Sequence, residues 1–255
     1  MRVLVCVKRI PDVAGTVMLT ADEQAVDARF VGYTVSNHES SAVELAVRIA
    51  DATAGSITLL SVGPPESTEQ LRHMLGLGCH AATLVEADPA ALGPSDVARE
   101  IAAVVTDHAG RGAGYDLVLL GNDAGDSGDF QVGIRLAYAL GWPVVNGVSV
   151  VETAEGRALT RNDGPDGEET FSVPLPAVVT VLEGGVEPRY PTLTGRMAAK
   201  KVEIETRALA HEPVGAARVR LVVPPPQPSN VEVLGEGAAG AARVVDLFES
   251  LGVLR

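Results

Sequence analysis

Short runs dense in apolar and β-branched residues, at positions 3–7, 56–62, 82–85 and 117–120, alternate along this chain with segments of helical periodicity. A strand of that kind has no polar face to give to water, so it belongs inside a sheet covered on both sides. The intervening helices are marked by Ala42, Val43, Ala46, Val47, Ile49 and Ala50, by Leu71, Met74 and Leu75, and by Val97, Ile101, Val104 and Val105. Strand followed by helix, repeated, predicts a three-layer α/β fold: a Rossmann-like parallel sheet with right-handed crossovers. In such folds ligands sit beyond the carboxyl ends of the strands.

From residue 148 the rhythm changes. Residues 148–152, 158–161 and 170–173 are short strand candidates separated by Gly- and Asp-rich turns, which reads as a small antiparallel annex. Residues 177–182 return to the main sheet, and Gly184-Gly185 mark a turn near its carboxyl end. After about residue 205 the pattern fades into Pro213, Pro224, Pro225, Pro226 and Pro228, an extended arm. A last helix over 241–251 carries Val244, Val245, Leu247, Phe248 and Leu251 on one stripe that needs a surface to cover. The expected division is therefore residues 1–205 as the α/β domain and 206–255 as arm and helix.

At 255 residues the chain has length for a substantial core. No apolar run approaches the ~20 residues of a membrane-spanning helix. A formal charge of −13 argues against a general nucleic-acid binder, which needs a basic face. The first strand starts directly after Met1 and Arg2, so no secretory leader is expected, and Cys6 and Cys79 offer neither a disulfide framework nor metal-ligand spacing. A reducing cytoplasm is the expected location. The histidines His38, His73, His80, His108 and His211 lack zinc-site spacing, and no nucleophile, base and acid can be nominated together.

One segment has the composition of an anion site. Gly121, Asn122, Asp123, Ala124, Gly125, Asp126, Ser127, Gly128, Asp129, Phe130, Gln131, Val132 and Gly133 follow a strong strand and precede a helix running through Leu140. Glycines let such a loop turn tightly, and the helix amino terminus offers unpaired N–H groups and a favourable dipole. The aspartates would repel phosphate unless they cap amides, pair with bases or point to ribose hydroxyls, and Asp126 or Ser127 is the expected amide cap. By its residues alone the loop is equally an ordinary Gly-Asp turn.

Farther on, Glu187-Pro188-Arg189-Tyr190-Pro191-Thr192-Leu193 and Met197-Ala198-Ala199-Lys200-Lys201 resemble the signature loop of electron-transfer flavoprotein beta subunits. The opening strand with Lys8, Arg9 and Asp12, the 121–133 loop and Leu175-Pro176-Ala177-Val178-Val179-Thr180 are similar to that family too, so the resemblance spans nearly the whole chain. It implies an adenine-nucleotide alpha-hydrolase-like fold and an electron carrier, not an enzyme. The partner would be an alpha subunit holding the redox FAD in a heterodimer. Implied nucleotide contacts are Cys6, Ser36, Asn37, His38, Glu39, Val62 and residues 121–132, with AMP as ligand or, as in electron-bifurcating relatives, a second FAD.

The resemblance assigns Tyr190, Thr192, Leu193, Met197, Lys200 and Lys201 to transient docking of acyl-CoA or other dehydrogenases, the reactions of fatty acid oxidation, with a quinone oxidoreductase also a transient partner. Leu193 is the anchor and Gly195 a hinge. Departures from the family pattern are His38 and Val13 at places near the flavin that relatives fill with aromatic residues, and Asn162-Asp163 where relatives have an acid after Arg161. Arg189 is expected to pair with Glu187 or Glu183. An adenylating ligase lacks its Ser-Gly-Gly-type loop here, since Lys8-Arg9-Ile10-Pro11-Asp12 stands in that place, and a stand-alone nucleotide sensor leaves the arm and the signature loop without a role.

Overall fold

The computed structural model describes residues 1–12, 17–215, 220–225 and 231–253. Its strands and helices are, in chain order, β1 (Arg2–Cys6), β2 (Ile10–Asp12), β3 (Gly32–Thr34), α1 (Asn37–Thr53), β4 (Ser56–Gly63), α2 (Thr68–Leu75), β5 (Ala81–Glu86), α3 (Pro94–Gly110), β6 (Leu117–Gly121), α4 (Val132–Leu140) and β7 (Val144–Val148). There follow β8 (Val150–Ala154), β9 (Arg157–Gly164), β10 (Gly167–Pro174), β11 (Ala177–Val181), α5 (Leu193–Ala199), β12 (Ile204–Ala208) and α6 (Ala239–Ser250). Seven strands form one sheet in the order β12-β5-β4-β1-β6-β11-β7, with every pairing parallel.

The apolar runs are explained by the two layers they face. In β1, Val3 and Val5 belong to the core under α1 and α2, while Leu4 and Cys6 belong to the core under α3 and α4. The same division holds for Leu117 and Leu119 against Val118 and Leu120 in β6, and for Val179 against Val178 in β11. Strand order reverses at β1, which has β4 on one side and β6 on the other. That switch point opens a crevice at the carboxyl ends of β1 and β6.

The annex is the antiparallel sheet β10-β9-β8, and β2 pairs with β3 in a further hairpin. The antiparallel annex, the parallel sheet and the covering helices agree with the fold read from the sequence. Two segments differ from that reading. Residues 204–208, where the pattern fades, form β12 and pair with β5 at the sheet edge; an edge strand half-covered on its faces carries little apolar signal. Residues 193–199, read as loop, form α5, whose helical periodicity is hidden because only Ala199 is buried.

Met1–Leu221 form one compact unit and Val222–Arg255 a second. Near its end the first unit is tied to α3: Asp96 accepts from the backbone N–H of Val214 and Gly215, and Glu100 from those of Ala210 and His211. The bonds from Val214 and Gly215, with Gly93 and Arg99 as further donors, hold the Asp96 carboxyl well below the usual range against the opposing effect of burial. In the second unit α6 leaves Val244, Val245, Leu247, Phe248 and Leu251 exposed, and Arg243 pairs with Glu232 at 3.2 Å. Val13, Pro226 and Pro228 lie outside the described residues.

Candidate functional site

The crevice at the switch point holds a cleft of about 360 Å³. It brings together Cys6, Glu39 and Val62 with Gly121, Asn122, Asp123, Ala124, Asp126, Ser127, Asp129 and Val132, eleven of the residues expected from the sequence. Ser36, Asn37, His38, Gly125, Gly128, Phe130 and Gln131 are not on its wall. The far side was not foreseen: Leu92, Gly93, Val97 and Ile101 from α3 and the turn before it face the 121–133 loop. Val97 and Ile101 were legible only as core periodicity, and nothing in that pattern separates a residue facing a cleft from one facing a neighbour.

Glu39 is a buried acid on the wall of the cleft. Ser36 and Glu39 form a capping box at the start of α1, a Ser-x-x-Glu signal present in the sequence. Glu39 Oε2 accepts from the Ser36 N–H at 3.1 Å and hydroxyl at 2.9 Å, and Oε1 accepts from the Lys8 N–H at 2.7 Å. Burial nevertheless pushes its carboxyl up to about 7, against those hydrogen bonds. Burial, with Glu39 beside it, also pushes the Cys6 thiol up, so Cys6 presents a neutral, weakly polar wall.

Two carboxylates of the acidic loop meet side chains from outside it, and one of these is a lysine. Lys8 Nζ lies 2.6 Å from Asp126 Oδ1, and His38 Nε2 lies 2.9 Å from Asp123 Oδ1. The second contact is close but off-line, leaving Oδ1 without an aligned hydrogen bond, while His38 Nδ1 accepts from the Glu183 N–H at 3.2 Å. Neither Asp126 nor Ser127 caps an amide: Asp126 takes the lysine, and the Ser127 hydroxyl donates to Asp129 at 3.2 Å. The side chain of Gln131 makes no cap on α4, and the first two residues of that helix, Val132 and Gly133, line the cleft. At the start of α3, by contrast, Asp96 already accepts from Gly93.

The loop is seated by small residues. A Cβ on Gly121 would lie 2.9 Å from Glu39 Cγ, and one on Gly133 would lie 2.4 Å from Thr180 Cγ2. The Thr180 hydroxyl donates to Asn122 Oδ1 at 2.7 Å and accepts from the Gly147 N–H at 2.9 Å, fixing the loop to β11 and β7.

A second surface lies at α5. Tyr190, Leu193 and Met197 are exposed, with relative exposures of 88%, 76% and 59%, and Thr192, Lys200 and Lys201 are exposed beside them. The Thr192 hydroxyl caps α5 by accepting from the Gly195 N–H at 3.0 Å. Gly195 is no free hinge: a Cβ there would stand 2.3 Å from the Gly76 carbonyl oxygen. Arg189 pairs neither with Glu187 nor with Glu183. Its Nε and Nη2 reach the two oxygens of Glu44 at 2.7 and 3.1 Å. Burial alone raises the Glu44 carboxyl, but hydrogen bonds from Arg189 and Arg48 outweigh it and hold it below the usual range. Glu44 was detectable in the sequence as a charge within the apolar stripe of α1.

Among the described residues no group of His, Cys, Asp and Glu is placed to hold a metal ion, and no helix is long and apolar enough to cross a membrane. A family model described as electron transfer flavoprotein domain matches residues 24–212. The electron transfer flavoprotein subunit beta of Syntrophomonas wolfei is 30% identical over 251 residues, covering 98% of this chain and 96% of that protein. The human protein of the same name is 35% identical over 209 residues, 80% of each chain, and that of Bacillus subtilis 29% identical over 225 residues, 86% of each. With the family match spanning most of its length and each of these relatives aligned over four fifths or more of both chains, this chain belongs to the electron transfer flavoprotein family as a beta-subunit member.

Proposed function

We propose that this chain pairs with an alpha subunit carrying the redox FAD, binds AMP in the cleft between β1 and β6, and presents α5 to dehydrogenases that deliver electrons. The observation that carries this reading is the cleft itself. It is open, lies at the switch point, and joins the uncapped amino terminus of α4 to an apolar wall of Cys6, Val62, Val97 and Ile101. The helix end suits a phosphate, and the apolar wall suits a purine face. A volume of about 360 Å³ is near the low end of the ~300–1,000 Å³ usual for ligand sites, which favours a mononucleotide over a dinucleotide such as a second FAD. Lys8 offsets Asp126, which lowers the cost of an anion near the carboxylates of the loop.

Catalysis of a covalent step is not required of this chain. Its work is binding, orientation and presentation: α5 holds Leu193 outward as an apolar plug, worth ~1.5–3 kcal/mol when buried by a partner, which suits a transient complex. The chain supports the flavin-bearing subunit while the partner docks, and electrons pass through the flavin. In the assembled heterodimer, Leu193→Ala should raise the KM for a reduced acyl-CoA dehydrogenase by about tenfold or more, as expected from losing ~1.5–3 kcal/mol, and leave flavin content unchanged. Unchanged uptake of electrons from that dehydrogenase would remove the docking role from Leu193.

A further inference from the structure

Helix α5 has seven residues, too few to hold a helical shape in water on their own. Its outward side chains gain nothing from burial, since Leu193 and Met197 stand in solvent. Its shape must therefore come from its ends and inner side. Thr192 caps the start, and Gly195 packs on the Gly76 carbonyl. At the exit the last carbonyl groups of a helix lack partners within it. Ala199 O accepts from the Val202 N–H at 3.3 Å, and Arg72, in the last turn of α2, adds a second partner: its Nη1 donates to Ala199 O at 2.6 Å and also to Val202 O, just past the helix. The guanidinium also places a positive charge at the negative end of the α5 dipole.

We infer that Arg72 is a positioning residue for docking, acting through α5 and touching no partner itself. The inference rests on the docking role proposed for α5. By clamping Ala199 and Val202, Arg72 keeps Leu193 and Met197 on one preformed face. Without it α5 frays, and a dehydrogenase must first select the helical fraction; apparent affinity falls in proportion to that fraction. Electron transfer within the docked complex is unaffected, because the contacts are the same once docked. Glu44 and Arg189 secure the chain ahead of the helix independently.

The test uses the FAD-loaded heterodimer with a reduced acyl-CoA dehydrogenase as donor. Arg72→Met, which keeps the stem and removes both hydrogen bonds, should raise donor KM by about five- to tenfold with kcat unchanged. Reduction of the flavin by dithionite should be unaltered, and amide hydrogen exchange should rise over residues 193–202. Arg72→Lys, which keeps the charge, should fall between wild type and Arg72→Met, and it carries the test if Arg72→Met fails to assemble. Unchanged KM while exchange rises, or unchanged exchange, overturns the inference. Leu193→Ala run alongside separates the two claims: if it too leaves KM unchanged, the docking reading itself has failed, whereas a rise in KM for Leu193→Ala alone removes only the role of Arg72.

Discussion

Replacing Gly133 with alanine sets two effects of opposite sign against each other. Gly133 is the second residue of α4, and helix propensity alone favours alanine over glycine by ~1 kcal/mol. Packing opposes it, because the new methyl would lie 2.4 Å from Thr180 Cγ2 and 3.9 Å from Leu120 Cδ1. Thr180 is buried and stiff about χ1, and turning its methyl away breaks the hydroxyl contacts to Asn122 and Gly147. Overpacking costs ~1–3 kcal/mol and a lost hydrogen bond ~1 kcal/mol, so Gly133→Ala should destabilise by a net ~1–3 kcal/mol. Thr180→Ser removes the obstructing methyl and keeps the hydroxyl, at a cost of ~1 kcal/mol for the buried carbon. On that background Gly133→Ala should cost nothing or stabilise, giving a coupling of ~2 kcal/mol in a double-mutant cycle followed by urea denaturation. If Gly133→Ala raised the denaturation midpoint in the wild-type background, or cost the same in both, the packing account of this loop would be refuted.

Arg189→Ala leaves the Glu44 carboxylate, whose side chain is 4% exposed, with Arg48 as its remaining charged partner, and should lower stability by ~2 kcal/mol after allowance for the partial exposure of Arg189. Arg48→Ala, which removes a single hydrogen bond, should cost less, and equal losses in denaturant melts would contradict the assignment. Glu39 supplies a pH signature. Its carboxyl is raised in the folded chain to about 7, so its favourable contribution is complete below the ordinary value near 4.5 and is lost as pH rises through 7. The stability of the wild type relative to Glu39→Gln should therefore fall by up to ~3 kcal/mol between those limits, and a flat difference would mean that the carboxylate is fully accommodated.

The sheet was legible because its strands are buried on both faces, which leaves a nearly unbroken apolar record at 3–7 and 117–120. β12 was not, since a half-covered edge strand such as Ile204–Ala208 mixes charged and apolar residues. The 121–133 loop was visible as glycines between a strand and a helix, yet the partners of its aspartates were not, because Lys8 and His38 come from elements far away in sequence. Arg189 shows the same limit: neighbouring Glu187 and Glu183 were the partners that local spacing suggested, while topology supplied Glu44, 145 residues away. Helix α5 escaped because its periodicity faces water, so sequence pattern, which reports burial, had little to report.

Release and quantification of the nucleotides held by this chain copurified with its alpha partner tests the central claim most directly. One FAD and one AMP per heterodimer is the predicted result. Two FAD, bound ATP, or an empty cleft with no stable partner would contradict it.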